Sequence, residues 1–264
     1  MSIETTTGAP RLVMSPTGRA VKLDGAPVQR VTEILNALAK PALVGWAAKT
    51  TAAYAVDHWD ELAVESVSNR LAMIGRAPED AKTRAAAAGT TVHRFGERLV
   101  AGLPVEPPDE LRGMVEAYAR FLDEWDIVPV AIETPVAYGG TAPYAGRSDL
   151  WATIGVRDRG RALVDLKTGK AVYAETALQL AAYVGADLWQ PAGPTSEEPK
   201  PPVDLCYVAH IQPDRVDMLP VPAALTDAQW RTFRYVQQVS RWMKRHTGWP
   251  TPDESLIGEP ESAR

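Results

Sequence analysis

The chain of 264 residues is long enough to bury a sizeable core, and its 45% apolar and 23% charged content is typical of a globular protein. A single cysteine excludes an internal disulfide, and no apolar run approaches the roughly 18 residues that a membrane span requires. The net charge of −5 does not favour general nucleic-acid binding, so any contact with phosphate must depend on a local cluster of positive charge. The N-terminus has no basic start followed by an apolar stretch, so we expect no secretory signal.

A hairpin and a helical region are predicted for the N-terminal part of the chain. Residues 1–13 are polar and contain proline and glycine, which predicts a loose segment. Asp24-Gly25 is a strong signal for the tight turn of a hairpin. A short helix over 32–39 and mostly helical structure over 42–69 should follow. Three aromatic residues of the second stretch fit a protein core better than a base-stacking surface: Trp46, Tyr54 and Trp59.

A second helical region is expected to start at Pro78, because proline is favoured in the first turn of a helix. Gly89 is expected to interrupt this helix, which then restarts and continues to about residue 101. His93 and Glu97 lie four residues apart in the restarted part and therefore share one helical face. Residues 110–125 carry an apolar stripe at helical spacing, which predicts an amphipathic helix.

The rest of the chain alternates strands with helices. This pattern predicts an α/β (α+β) fold with a central mixed β-sheet flanked by helices and with a helical N-terminal part. Helices are predicted over 175–188 and 226–246, and the segment 190–202, rich in proline, serine and glutamate, is predicted to be a loop. The predicted strands cover five segments: 129–138, 145–154, 161–167, 203–210 and 215–219.

The chain divides into three predicted parts: a hairpin and helical region over 1–88, a core over 89–246 and a disordered tail over 247–264. The segment from Asp57 to Asp80 is acidic, whereas the last predicted helix is basic. These basic side chains could line a phosphate-binding groove or form a solvated helix face, and the sequence does not choose between the two. They are Arg231, Arg234, Arg241, Lys244 and Arg245.

The two strands over 145–154 and 161–167 are separated by a polar turn and predict a hairpin. If the turn is centred near Asp158, Asp149 lies close to opposite Asp165, with Cβ atoms about 4.5–5.5 Å apart. Asp165 and Lys167 are two residues apart and share a face, while the alternate residues point into a core. The hairpin therefore brings two carboxylates and one ammonium group to one patch of sheet.

Two carboxylates at this separation repel each other strongly. At about 4 Å and an effective dielectric constant near 20, the repulsion is roughly 4 kcal/mol, or about three pKa units. Lys167 can offset part of this repulsion, and a divalent cation removes it by making the carboxylates its ligands. Carboxylate oxygens suit Mg²⁺ or Mn²⁺ better than Zn²⁺.

Four motifs in this chain resemble those of the PD-(D/E)XK nuclease superfamily, and more narrowly those of its RecB-type, phage exonuclease-like branch. They occur in the family's order between residues 89 and 183, about a third of the chain. An isolated Asp-x-Lys is weak evidence, whereas the ordered set is specific. The motifs are Gly89-Thr90-Thr91-Val92-His93, Gly146-Arg147-Ser148-Asp149, Asp165-Leu166-Lys167-Thr168 and Gln179-x-x-x-Tyr183.

The resemblance implies a restriction-endonuclease-like core over 89–246 and a set of active-site residues. Asp149, Asp165 and Lys167 are the implied catalytic residues. The implied metal ligands are His93, Asp149, Asp165 and the backbone carbonyl of Leu166, and the implied cofactor is Mg²⁺, for which Mn²⁺ can substitute. Lys167 would orient or polarise the attacking water and stabilise the developing negative charge.

Five further residues are candidates for DNA binding or for support of the active site. Gln179 and Tyr183 match the Gln-x-x-x-Tyr element of the branch, although ordinary helix packing also explains them. Glu133 is expected near the metal or as an exposed strand residue. Glu97 could orient His93 or pair with an arginine, and Arg147 could meet a phosphate or pair with an acid.

The resemblance also implies an activity and its setting: a metal-dependent deoxyribonuclease, with an exonuclease favoured, of the kind used in phage recombination, replication and repair. DNA is the implied partner, with a recombinase or a single-strand-binding protein as a further candidate and no membrane contact. The implied location is the cytoplasm, that of the host if a phage encodes the chain. With only Cys206 present, the iron–sulfur cluster of some relatives is excluded. The absent G-x-x-x-x-G-K-[ST] loop excludes a helicase.

Two other functions compete with the nuclease. A non-catalytic DNA-binding or scaffold protein could retain the same fold, but it predicts loss of Asp149, Asp165 or Lys167, and all three are present. A different metal-dependent hydrolase could use the same carboxylates, but it leaves the Gln-x-x-x-Tyr element without a role.

Overall fold

The computed structural model describes residues 11–246, except for residues 16, 19 and 156–159 and the side chain of Thr195. Most of the predicted loose segment 1–13, most of the predicted hairpin turn 157–160 and the whole predicted tail 247–264 lie outside the described residues. Within the described ranges, none of the helices combines the length and the apolar content that a membrane span requires.

Strands and helices alternate along most of the described chain. The strands are β1 Leu12–Met14, β2 Val21–Leu23, β3 Ala26–Pro27, β4 Gln29–Arg30, β5 Ile127–Tyr138, β6 Tyr144–Ile154, β7 Arg161–Lys167, β8 Leu188–Trp189, β9 Glu198–Pro199, β10 Leu205–Ile211 and β11 Val216–Pro220. The helices are α1 Val31–Leu35, α2 Pro41–Asp57, α3 Trp59–Ala63, α4 Val67–Val100, α5 Asp109–Glu124, α6 Glu175–Val184 and α7 Asp227–Arg245. Two short 3-10 turns cover Pro194–Ser196 and Pro222–Leu225.

The central sheet is mixed and lies between two layers of helices. Its strand order is β11-β10-β7-β6-β5-β8-β9, and the short β4 pairs with β6 in addition. β5, β6 and β7 are antiparallel neighbours, whereas β7 and β10 are parallel. Trp151 and Tyr183 belong to the core between the sheet and α1, α6 and α7, while Tyr118 and Val164 belong to the core between the sheet and α4 and α5. The predicted mixed sheet flanked by helices is therefore confirmed.

The β6–β7 hairpin has the predicted register. Leu150 lies opposite Val164 and Trp151 opposite Leu163, so the next position along the two strands brings Asp149 to Asp165. Val164 is fully buried in the core beneath α4 and α5, as the alternation of a strand requires.

A tight turn joins β2 to β3, and its two central residues both have positive φ, 52° at Asp24 and 78° at Gly25. This is the backbone of the hairpin turn that an Asp-Gly pair favours, so the predicted hairpin is confirmed. The third strand of this small sheet is β1, which pairs with β2. The parallel pairing of Arg30 in β4 with Ala145 in β6 ties this N-terminal region to the central sheet.

The expected interruption of the second helical region is wrong. α4 is one helix of 34 residues that starts at the cap Ser66 and contains both Pro78 and Gly89. A Cβ at position 89 would lie 2.9 Å from Thr168 Oγ1, so glycine allows the helix to pass close to the end of β7. The continuous helix α4 includes residues 88 and 89, and the predicted division of the chain at this point stays a prediction.

Several other predicted features differ from the structure in detail. The short helix α1 begins at Val31, one residue before the predicted start, and α6 ends at Val184, with Gly185 as its C-cap, rather than at residue 188. The aromatic residues of the N-terminal helices are not core: α2 has no buried residue, and Trp59 is 70% exposed. Of these helices, α2 packs against α4.

Candidate metal centre

Three acidic residues form a row across the middle of the sheet. In the β5–β6 pair, Ile132 lies opposite Leu150 and Thr134 lies opposite Ser148. Glu133 of β5 and Asp149 of β6 lie between these two pairs and therefore at the same level of the sheet. The β6–β7 register places Asp165 next in the row. Because antiparallel neighbours at one level project close together, strand pairing alone concentrates three carboxylates at one place.

His93 of α4 completes a group with two of these acids. One ring nitrogen of His93 and one carboxylate oxygen each from Glu133 and Asp149 lie within 4.8 Å of one another. His93 Nδ1 lies 3.9 Å from Asp149 Oδ2, and the two side chains are 27% and 15% exposed. An imidazole and two carboxylates at these separations are donors that a divalent cation can share, and the partial exposure gives an ion access.

Asp165 has other partners. It is 1% exposed, and its Oδ2 lies 2.5 Å from Nζ of Lys167. Gln179 Nε2 donates to Asp165 Oδ1 at 2.9 Å and to the hydroxyl of Tyr183 at 3.2 Å, while Lys167 donates to Gln179 Oε1 at 3.3 Å. The Gln-x-x-x-Tyr element of α6 therefore orders Asp165 and Lys167, and Asp165 is outside the group formed by His93, Glu133 and Asp149.

Asp149 also closes the end of a strand pair. The β6–β7 ladder stops at Leu150 and Val164, and beyond this point the backbone N–H of Leu166 donates to Asp149 Oδ2 at 2.7 Å. This bond replaces a lost ladder bond and fixes the carboxylate. The metal-binding role of the Leu166 carbonyl stays a prediction.

The surroundings of the acids Glu133, Asp165 and Glu97 disfavour the ionised form of each carboxyl group and raise its pKa. Burial raises the pKa of Glu133 to about 8, and the charges of Asp149 and Glu97 add to this rise. Burial likewise raises the pKa of Asp165, against the opposing charge of Lys167, and it raises the pKa of Glu97. Burial, rather than repulsion between Asp149 and Asp165, is the largest cause, and a divalent cation would relieve both effects.

Lys167 remains protonated at neutral pH. Burial by itself lowers the pKa of its ammonium group, but the charges of Asp165 and Asp149 outweigh burial and raise the pKa above its ordinary value of 10.5. The side chain is therefore a fixed cation that donates hydrogen bonds, not a general base.

Glu133 has an unusual backbone conformation that the sequence did not reveal. Its φ is 48°, in the left-handed region that costs a residue with a Cβ roughly 1–2 kcal/mol. Ala131 and Val136 pack in the same core although they are five residues apart and would face opposite sides of a regular strand. The left-handed Glu133 lies between them, and past this point the side chains of β5 change the side of the sheet that they face. Backbone strain of this kind concentrates at functional sites.

Small residues on α4 bring His93 to the sheet. Gly89 passes Thr168, and a Cβ at Gly96 would lie 3.2 Å from the ring of Tyr118 and 3.3 Å from Leu166. Both glycines lie one helical turn from His93 on the side that faces the sheet. The glycine of the upstream motif therefore permits close packing, which lets the imidazole reach Asp149.

The remaining predicted residues lie around this group. Arg147 Nη1 lies 3.9 Å from Glu133 Oε2, so it pairs with an acid at the site. Glu97 acts on the site through its charge, which raises the pKa of Glu133. Sequence reasoning missed Arg30, which lines a cavity with Glu133 and Arg147. No local pattern indicates this contact, because it depends on the pairing of β4 with β6 across more than a hundred residues.

Comparison with known proteins adds little to this geometry. No protein-family model matches the chain, and no curated protein matches it. A solved structure described as "Crystal structure of SSO0001" is 14% identical, covers 82% of this chain and 76% of that chain, and has a TM-score of 0.35. A similarity this weak carries no argument about the present chain.

Proposed function

We propose that this chain is a metal-dependent deoxyribonuclease with the restriction-endonuclease-like core of the PD-(D/E)XK superfamily, in its RecB-type, phage exonuclease-like branch. The observation that supports it most is the group of His93, Glu133 and Asp149 beside the Asp165–Lys167 pair. A divalent cation held there would lower the pKa of bound water and withdraw charge from phosphoryl oxygens.

The residues of the site divide the remaining work. His93, Glu133 and Asp149 would hold Mg²⁺, with Mn²⁺ as a substitute. Lys167 supplies a permanent positive charge and N–H donors for the charge that develops on the phosphate. Its pairing with Asp165 and its bond to Gln179 fix the position of that charge before substrate arrives.

Gln179 is a positioning residue in this proposal. Its amide group donates to Asp165 and to Tyr183 and accepts from Lys167, so all three depend on its orientation. A Gln179→Leu variant should retain the fold and lose order at Lys167. Its cleavage rate should fall while its metal affinity stays near that of the wild type, because the group of His93, Glu133 and Asp149 is unchanged.

The proposed substrate is DNA, and an exonuclease is favoured over an endonuclease. A setting in phage-type recombination, replication or repair, with a recombinase or single-strand-binding protein as partner in the cytoplasm, belongs to the same proposal. These parts follow from the resemblance of the four motifs, and the site geometry supports the hydrolysis itself.

The direct test is incubation of labelled single-stranded and double-stranded DNA, linear and circular, with Mg²⁺ or Mn²⁺. Wild type should degrade linear DNA, and Lys167→Ala should not. Lys82→Ala is a matched control, because Lys82 is an exposed lysine of α4 that pairs only with Glu79 in the described structure. It should cleave like the wild type.

Each other outcome identifies a different error. Equal degradation by wild type and Lys167→Ala would mean a contaminant or a different site. Binding of DNA without cleavage, across metals and substrates, would favour the non-catalytic scaffold. Binding of Mn²⁺ with no effect on DNA would favour a different metal-dependent hydrolase, and loss of Mn²⁺ binding in Asp149→Asn would still locate the ion.

A further inference from the structure

Three cavities are lined by residues of the candidate metal centre, of β4 and of α7. The first, of about 250 Å³, is lined by Glu133, Arg147 and Arg30 among others. The second, of about 290 Å³, begins at Gln29, next to Arg30 in the chain, and ends on α7. The third, of about 460 Å³, continues along α7. The second and third cavities share Arg241 and Arg245, and the first and second are lined by the consecutive β4 residues Arg30 and Gln29. We call the three cavities together the basic track.

Arginine side chains recur along the basic track. Arg147 and Arg30 line its first cavity, and the buried Nε atom of each has no hydrogen-bond partner in the described structure. Arg241 and Arg245 line both the second and the third cavity. An arginine presents five N–H donors in a planar fork that matches the oxygens of a phosphate group.

The acids along the basic track are already engaged. Glu33 of α1 pairs with Lys244 of α7 and lies 3.8 Å from Nε of Arg30. Glu133 faces Arg147 and belongs to the candidate metal centre. Within the described ranges, no carboxylate pairs with Arg241 or Arg245, so these guanidinium groups are available to an anionic ligand.

Exposed aromatic rings accompany the arginines on α7. Trp242 is 56% exposed and lines the third cavity, and Tyr235 on the same helix is 65% exposed. Two other aromatic residues of α7 have structural roles: Phe233 is buried and Trp230 donates to the hydroxyl of Tyr144. The indole of Trp242 stacks on the ring of His246, with ring centroids 4.7 Å apart, and the residue is still more than half exposed. An exposed indole beside guanidinium groups is the surface on which unpaired bases stack while arginines hold the backbone.

We propose that the basic track binds single-stranded nucleic acid and leads one strand from α7 to the metal centre. Arg241 and Arg245 hold backbone phosphates, Trp242 stacks on a base, and Arg30 and Arg147 hold the phosphate next to the reacting one. A paired duplex offers no free base face to Trp242, so the track selects an unpaired strand. The inference rests on the proposed nuclease function for the identity of the strand as DNA.

The test measures binding without cleavage, in chelator, by the fluorescence anisotropy of labelled single strands of about six and about twenty nucleotides. The Arg241→Ala/Arg245→Ala double variant should bind the long strand about tenfold more weakly, and the slope of log affinity against log salt should fall by about 1.4 for two lost phosphates. Trp242→Ala should lose about fivefold or more, whereas Trp242→Phe should retain most of the affinity, because a phenyl ring still stacks.

Arg215→Ala is the matched control, because Arg215 is an exposed arginine next to the edge strand β11 and pairs with Asp214 and Asp217. It should bind like the wild type. The short strand should distinguish the two ends of the track: Arg30→Gln should weaken its binding, and the α7 variants should change it much less. Unchanged binding of the long strand by the α7 variants, or tighter binding of a duplex than of a single strand, would overturn the inference.

The same variants separate this inference from the proposed nuclease function. Cleavage by wild type together with unchanged binding and cleavage in the α7 variants would refute the track alone. Track-dependent binding by wild type with no cleavage under any metal would refute the nuclease and leave the track. A wild type that binds no nucleic acid would refute both.

Discussion

The backbone of Glu133 allows a prediction in which one pair of substitutions isolates conformational strain. Glu133→Ala and Glu133→Gly both remove the carboxylate, so they differ only in what the backbone at φ 48° costs. A left-handed backbone costs alanine roughly 1–2 kcal/mol, while glycine loses roughly 0.5–1 kcal/mol through the greater freedom of its unfolded chain. The glycine variant should therefore be more stable than the alanine variant by roughly 0.5–1 kcal/mol.

The assay is urea unfolding of both variants in chelator, with a second pair of substitutions at Val128 as the control. Val128 lies in the same strand, is 53% exposed, pairs with Thr153 and does not have a positive φ. At Val128 the alanine variant should be the more stable one, and Val128→Gly should be less stable than Val128→Ala by about 0.5–1 kcal/mol. A glycine variant that is less stable than its alanine counterpart by the same amount at both positions would refute the inference of strain at Glu133.

Three further predictions concern buried groups. Because the pKa of Glu133 is raised from 4.5 to about 8, the metal-free folded protein binds a proton that the unfolded chain releases, and urea unfolding should show stability falling as pH rises through this window. At 1.36 kcal/mol for each pKa unit, the loss of stability is at most about 5 kcal/mol, and solvent screening of a side chain that is 27% exposed reduces it to about 2 kcal/mol. Glu133→Gln should abolish this pH dependence, and an equal pH dependence in the wild type and the variant would contradict the prediction. Gly146→Ala should lower the free energy of unfolding by about 1–3 kcal/mol, because its Cβ would lie 2.6 Å from Tyr183 Cε1; wild-type stability in urea would refute the close contact. Burial raises the pKa of the Cys206 thiol to about 12, so a thiol reagent should label the protein only after unfolding, and rapid labelling of native protein would show that the thiol is accessible.

Local patterns predicted those elements whose cause is local. The position of the turn between β6 and β7 predicted their register, and the structure pairs Leu150 with Val164 as that register requires. The Asp24-Gly25 pair predicted its turn because few other residues adopt positive φ at both positions. Thr226 predicted the start of α7, and its side chain accepts from the backbone N–H of Gln229.

Local patterns failed where a distant part of the chain set the conformation. Gly89 in isolation predicts a break in a helix, yet in the fold it gives α4 the room to pass Thr168. Trp59 in isolation predicts a core residue, yet its side chain is mostly exposed in the fold. At Gly89 tertiary packing outweighed a helix propensity of about 1 kcal/mol.

The sequence by itself determined that Asp149, Asp165 and Lys167 meet, because a hairpin register depends only on the spacing of neighbouring strands. Only the tertiary structure decided which acids surround His93 and which are held by Gln179, since α4 and α6 approach the strands from opposite layers of the fold. The grouping of His93 with Glu133 and Asp149 depends on how closely a helix packs on a sheet and on one left-handed residue in β5. Both depend on contacts between segments far apart in the chain, which spacing along the sequence does not encode.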